Sequence, residues 1–155
     1  MQHFIVRILI FAVLNFGALG LGTYFMGGGP SSGWYQNLNK APWTPPGWVF
    51  GVAWTTIMIC FSVYMAELWE NSNRINIVIT MFAIQWALNV MWNPSFFKYQ
   101  QVLLGLIIII LLTAIVAKLF FSNLSLLGYK SIWLLPYLLW LFIATSLNAY
   151  IFIKN

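Results

Sequence analysis

Polar residues are the exceptions along this chain, and their positions divide it. Residues 8–39, 41–66, 75–97, 99–117 and 131–153 contain no Asp, Glu, Lys or Arg, and a helix needs about 20 predominantly apolar residues to cross a bilayer. The pattern predicts five spans, at about 4–26, 46–69, 75–97, 101–121 and 132–153, each helical because a lipid-exposed backbone must satisfy its own hydrogen bonds. The expected fold is all-α, an integral membrane bundle of five transmembrane helices in a single domain over 1–155. Three connections are tight, so neighbouring spans should run antiparallel. The fourth, 27–45, reads GGGPSSGWYQNLNKAPWTP. Loops this long are usually functional or disordered, and Trp34, Tyr35 and Trp43 favour a functional lid, because disordered segments are poor in rings.

Polar side chains inside a span tend to face other helices, since acyl chains satisfy no hydrogen bond. In the third span Gln85, Asn89, Trp92 and Phe96 recur at spacings of four, three and four, one helical stripe, with Asn93 beside it. Read blandly, Gln85 and Asn89 cross-link helices. Trp92 beside Asn89 adds a ligand reading. The second span carries Phe50, Trp54, Ile57, Phe61 and Tyr64 at the same spacing; such rows are usually packing, but Trp54 lies deeper than an interfacial belt. Trp140 follows Pro136, which disturbs the local helix ladder. In antiparallel spans Trp54 and Trp92 approach each other under the long loop, and Trp140 joins them if it sits near mid-depth. The expectation is a central cavity lidded by Trp34, Tyr35 and Trp43. In span one Asn15, Ala18 and Gly22 share a face suited to close helix approach.

Composition narrows the function. The chain is 62% hydrophobic and 6% charged, far from a soluble domain. Its net charge of +5 comes from seven dispersed cations against two acids, too scattered to follow a phosphate backbone, so no nucleic-acid partner is expected. A single Cys60 and a single His3 provide no metal cluster, and no metal site is expected. Glu67 and Glu70, at i and i+3, read as the solvated end of span two rather than an acid–base pair. With no carboxylate at mid-span, a proton-coupled transporter is disfavoured. Arg7, Arg74, Lys118 and Lys130 fall on one side, and Lys40, Lys98 and Lys154 on the other, so charge bias leaves the orientation open. Arg7 with the small residues Ala18 and Gly20 imitates a signal peptide, but the segment is expected to remain as a helix. Leu147, Tyr150 and Lys154 fit a proposed cholesterol pattern, and Tyr150 near Lys154 equally fits an interfacial anchor.

These residues resemble a known family. Trp34-Tyr35, then Lys40-Ala41-Pro42-Trp43-Thr44-Pro45-Pro46-Gly47-Trp48 and Trp54, are similar to the signature of the translocator protein family (TspO/MBR, the tryptophan-rich sensory proteins and peripheral-type benzodiazepine receptors). Ala87-Leu88-Asn89 with Trp92, Pro94, Phe96 and Phe97 resembles its third helix, and Pro136-Tyr137-Leu138-Leu139-Trp140 its fifth. The resemblance implies a five-helix bundle binding porphyrins (protoporphyrin IX, haem) and related apolar ligands in a cavity under the first loop. It associates Tyr35, Trp43, Pro45, Pro46, Asn89 and Trp92 with loop and pocket, and Trp54 and Trp140 with light-dependent oxidative porphyrin breakdown. It also implies a homodimer and, in animal members, sterol binding; here Lys154 is the only late cation of that motif.

The residues suit such a ligand. A porphyrin is an apolar disc with propionates at one edge, fit to stack among Trp34, Phe50, Trp54, Trp92 and Trp140 while amides or Lys40 meet its rim. No cofactor is required, the porphyrin or haem being the ligand. The leading expectation is a membrane receptor or sensor, with transport of the ligand as an extension. The alternatives are an enzyme degrading porphyrin with light and oxygen, and a sterol- or lipid-binding translocator. The expected location is a bacterial cytoplasmic membrane, with the mitochondrial outer membrane as the alternative.

Overall fold

The structure is a computed structural model describing residues 2–155. It is all-α. Five long helices, α1 (Gln2–Phe25), α3 (Gly47–Asn71), α4 (Ile75–Asn93), α5 (Val102–Leu127) and α6 (Leu135–Lys154), are joined by one short helix, α2 (Gly33–Asn37), in the first loop. Helical stretches long and apolar enough to cross a membrane run Gln2–Ser31, Gly47–Asn71, Ile75–Lys98 and Val102–Lys154. The last contains 53 residues, roughly 80 Å if straight at about 1.5 Å per residue. It folds back at the 3-10 segment Gly128–Leu134 and so crosses twice, as α5 and α6. Gly128 makes the reversal with φ 55° and ψ −127°, a left-handed backbone that a Cβ would oppose.

The helices close into a ring in which α1 packs on α3, α3 on α6, α6 on α5, α5 on α4 and α4 on α1. Lipid tails are as apolar as the helix faces, so hydrophobicity alone does not select these partners. Hydrogen bonds mark most seams of the ring. Asn15 Nδ2 donates to Ser62 Oγ at 2.9 Å between α1 and α3. Trp86 Nε1 donates to the Leu14 carbonyl at 2.8 Å between α4 and α1, and the Thr113 and Thr145 hydroxyls meet at 3.2 Å between α5 and α6. Tyr64 Oη donates to the Leu119 carbonyl at 2.7 Å, tying α3 to α5. Gln85 Nε2 donates to Tyr137 Oη at 2.7 Å. This last bond braces the bundle through its interior, from α4 to α6, and both residues are buried.

Several boundaries differ from those the sequence pattern predicts. The fifth span begins its α-helix at Leu135 rather than 132, so Pro136 lies in the first turn, where its missing N–H interrupts no helical bond, rather than disturbing the ladder before Trp140. The fourth span continues six residues beyond Phe121, to Leu127, because Leu119 and Leu127 still find buried positions against its neighbours. The segment 27–45 is partly helical, with a 3-10 turn at Gly29–Ser31 and α2 capped by Ser32 Oγ, which accepts from Tyr35 N at 3.3 Å. The third span ends as a π-helical turn, Pro94–Lys98. Pro94 has no N–H to continue the α ladder, and the wider turn closes with Tyr99 N donating to the Pro94 carbonyl at 2.9 Å.

At the end opposite the long loop, Arg7 pairs with Glu70 and Lys130 with Glu67, each at 2.6 Å. Both carboxylates of the chain therefore hold helices together. The Glu67 hydrogen bond raises the Lys130 pKa above the ordinary lysine value, outweighing the desolvation that opposes it.

The interior brace generates a test. Tyr137→Phe strands the Gln85 amide and should destabilise the protein by about 1 kcal/mol. Adding Gln85→Met removes the stranded group and should recover part of that loss. Unfolding of the two single variants and the double variant in mixed micelles measures the coupling. Strict additivity would deny the brace.

Candidate functional site

The site is assembled at the loop end of the bundle. α3 begins there, α4 ends there in the π turn, and α6 ends there against the loop. Asn39 N donates to Asn155 Oδ1 at 2.9 Å, and Asn155 Nδ2 returns to the Asn39 carbonyl at 3.3 Å. The Gln85–Tyr137 bond forms the floor. Asn89 lies one turn above it on α4, buried, and Trp92 lies one turn above that.

The rings sort into separate groups. The first joins loop to helix: Trp92 stacks on Phe96 with centroids 5.3 Å apart and planes 8° apart. Trp34 meets the Phe96 edge at 5.6 Å, and Tyr35 meets Phe97 at 5.3 Å. Burial raises the Tyr35 pKa, so its phenol stays neutral and able to donate. The second group lies between α3 and α6, with Phe50 edge-on to the buried Trp140 at 5.3 Å and Trp54 edge-on to Tyr137 at 6.0 Å. The third is Trp43 against Tyr150 at 5.4 Å, its Nε1 donating to Ser146 Oγ at 3.2 Å. Trp54, Trp92 and Trp140 thus make three different ring contacts toward the same end of the bundle. The contact of Trp140 with Phe50, one turn into α3, places its ring at this level.

Other sequence candidates have clear positions. Pro46 is the N-cap of α3, with φ −61° and ψ 152°, and Pro45 precedes it, half-buried; the pair ends the loop in extended backbone and fixes where α3 begins. Lys40 Nζ donates to the Tyr35 and Gln36 carbonyls at 3.0 and 2.9 Å, so its charge sits at the C-terminus of α2, where a cation is favourable. Of the sterol pattern, Leu147 is buried, Tyr150 is covered by Trp43, and the Lys154 carbonyl accepts from Asn39 Nδ2 at 3.3 Å. That face of α6 serves the bundle and the loop. Phe152 and Ile153 are among the residues turned outward instead.

Two polar atoms toward this end are buried without a protein partner, Trp92 Nε1 and Asn148 Oδ1, and the floor residue adds a third, Gln85 Oε1. Stranding such a group costs about 1–3 kcal/mol, so unpartnered donors and acceptors beside apolar rings mark a place where a ligand or water completes the bonding. The sequence reading missed Asn148. Its signal was an amide in an otherwise apolar span, which the aromatic and proline residues around Trp140 overshadowed. It also treated Phe96 as one member of a stripe, whereas Phe96 is the hub on which Trp34, Tyr35 and Trp92 converge.

The space around Phe96 is tight. A Cβ on Gly105 of α5 would lie 3.0 Å from Phe96 Cδ2 and 3.2 Å from its Cβ. Gly105→Leu should therefore push Phe96 out of its stack, cost about 1–3 kcal/mol, and loosen the loop. Proteolytic nicking within 27–45 should quicken relative to wild type, and an unchanged rate would separate Phe96 from loop closure.

Comparison with known proteins shows the family. Residues 9–153 match the TspO/MBR family. The chain is 37% identical over 125 residues to a "Tryptophan-rich protein TspO" of Chlorobaculum tepidum, covering 77% of each chain. It is 34% identical over 151 residues to the "Tryptophan-rich protein TspO" of Archaeoglobus fulgidus, covering 95% of this chain and 96% of that one. With the human "Translocator protein" it shares 28% identity over 126 residues, covering 79% and 75%.

Proposed function

The chain belongs to the TspO/MBR family, and from that premise we propose that it is a membrane receptor or sensor binding a tetrapyrrole, protoporphyrin IX or haem, beneath the loop 27–45. The observation that carries this reading is Trp92 Nε1, a buried donor with no partner, on a ring already lying flat against Phe96. An apolar disc with acceptors at its edge answers both features. Its face replaces a ring in the stack, and its edge accepts from the indole N–H. Asn89 and Asn148 supply further polar groups, and Trp34, Tyr35 and Trp43 close the loop over the ligand. Phe50, Trp54 and Trp140 provide the apolar wall from α3 and α6, with Pro45 and Pro46 holding the loop at its edge. The tetrapyrrole is ligand or cargo, and the protein needs no cofactor to hold it. The family premise further supports a homodimer in a bacterial cytoplasmic membrane.

A second reading, light- and oxygen-dependent breakdown of the bound porphyrin, is favoured by one observation. The two indoles it would use, Trp54 and Trp140, each sit against another ring, Tyr137 and Phe50, where an indole radical would be sheltered from water.

Titration of full-length protein with protoporphyrin IX in the dark should quench tryptophan fluorescence. Trp92→Phe should weaken binding about five- to tenfold, the worth of one hydrogen bond. Trp48→Phe, whose ring is 70% exposed, should leave binding unchanged. Equal affinity for the Trp92 variant and wild type would remove the carrying observation. Under illumination, equal loss of the porphyrin absorption band in wild type and in the Trp54→Phe/Trp140→Phe variant would remove the second reading.

A further inference from the structure

The end of the bundle remote from the loop carries four cations, Arg7, Arg74, Lys118 and Lys130. Arg7 and Lys130 are neutralised by Glu70 and Glu67, which are the only acidic side chains in the sequence. Arg74 and Lys118 are left without a carboxylate. Both are exposed, and they stand on different helices.

Two adjoining hollows connect them. One is lined by Arg74 with Asn73, Asn76 and Ile77. The other continues from Asn76 and Ile77 along α4 to Thr80 and Ile84 and is walled on the α5 side by Ile115 and Lys118. Charged and amide groups thus stand above, and apolar side chains below. Lys118 lines the hollow together with Asn76, Ile77 and Thr80 of the first turns of α4. Beside it Ile77 and Ile84 remain 51% and 44% exposed, along the shallow seam where α4 packs on α5.

We propose that this α4–α5 groove is a binding site for an anionic phospholipid. The headgroup phosphate is held by Arg74 and Lys118, with the Asn73 and Asn76 amides at its side, and one acyl chain lies along Ile77, Ile84 and Ile115. Charge complementarity selects the occupant. A zwitterionic lipid fills the apolar part equally well but brings its own cation to a place that already has two, and free phosphate has nothing to lay along the isoleucines. The site lies at the opposite end of the bundle from the proposed tetrapyrrole site and does not depend on that reading.

The test is lipid retention by purified full-length protein, read by native mass spectrometry. Dioleoyl phosphatidylglycerol is titrated against dioleoyl phosphatidylcholine, with and without inorganic phosphate. Wild type should retain the glycerol lipid preferentially. Arg74→Gln and Lys118→Gln should each reduce that preference about fivefold. Lys98→Gln, which removes the same charge at the other end, should not change it. Ile84→Trp, which fills the groove without altering charge, should lower retention of the glycerol lipid while helicity stays at the wild-type level, and it decides the question alone if either charge variant fails to fold. No preference in wild type, an equal loss in Lys98→Gln, or full competition by inorganic phosphate would overturn the proposal. So would a loss of dimer with unchanged lipid retention in Ile84→Trp, which would assign the groove to a second copy of the chain.

Discussion

Within a bilayer a hydrogen bond between helices has no water to compete with it and no hydrophobic drive to assist it, and the architecture of this protein depends on that condition. Asn15–Ser62, Trp86–Leu14, Thr113–Thr145 and Tyr64–Leu119 each join a different pair of helices. The isoleucines and leucines around them would pack almost as well in another register. The polar contacts favour this one, because Asn15, Tyr64 and Trp86 find their partners on neighbouring helices in it. Gln85–Tyr137 has a further consequence. It ties α4 to α6 across the interior, between a packed region containing Phe61, Tyr64 and Leu119 and the half that meets the loop.

The two halves are built from different interactions. At the far end, ion pairs and the fold-back of α5 into α6 fix helices directly to one another. At the loop end the contacts are ring edges and ring faces, joined by bonds from the loop to α6. A ring contact of this kind contributes about 0.5–1.5 kcal/mol beyond its buried area and tolerates sliding and exchange of partners. The ion pairs at the other end are partly exposed and each contributes about 0–1 kcal/mol.

Much of this was legible in the sequence, and the reasons are specific. Charge-free runs located the helices, since a charge within the bilayer is costly. Trp92, Asn89 and Gln85 pointed inward as their spacing required. The ring order α1–α3–α6–α5–α4 was not legible, because connections of a few residues fix which helices are antiparallel but not which non-sequential helices touch. Nor was the π turn, although Pro94, which has no N–H, marks it: the widened turn brings Phe96 and Phe97 to meet Trp34 and Tyr35. The expectation that Lys40 serves a ligand rim overlooked the carbonyls at the end of α2, which appear only once 33–37 is known to be helical. The sterol pattern on α6 was a linear match, and the helix turns part of it inward.

The proposed reading gives indoles the part that charges play elsewhere. A lysine or arginine at the level of Trp92 would recognise an acidic ligand strongly, but it would have to be desolvated in the ligand-free protein and paired with a carboxylate, and both carboxylates of this chain are at the opposite end. An indole N–H costs less to leave without a partner, because it carries no net charge, and its ring meanwhile stacks on Phe96. On the proposed reading a planar ligand exchanges one stacking partner for another at little net change and gives the N–H its acceptor. Affinity then comes from completing a bond that the free protein lacks rather than from burying a new charge. That accounts for tryptophans and amides as the polar equipment of this site, in a chain with few ionisable side chains within its spans.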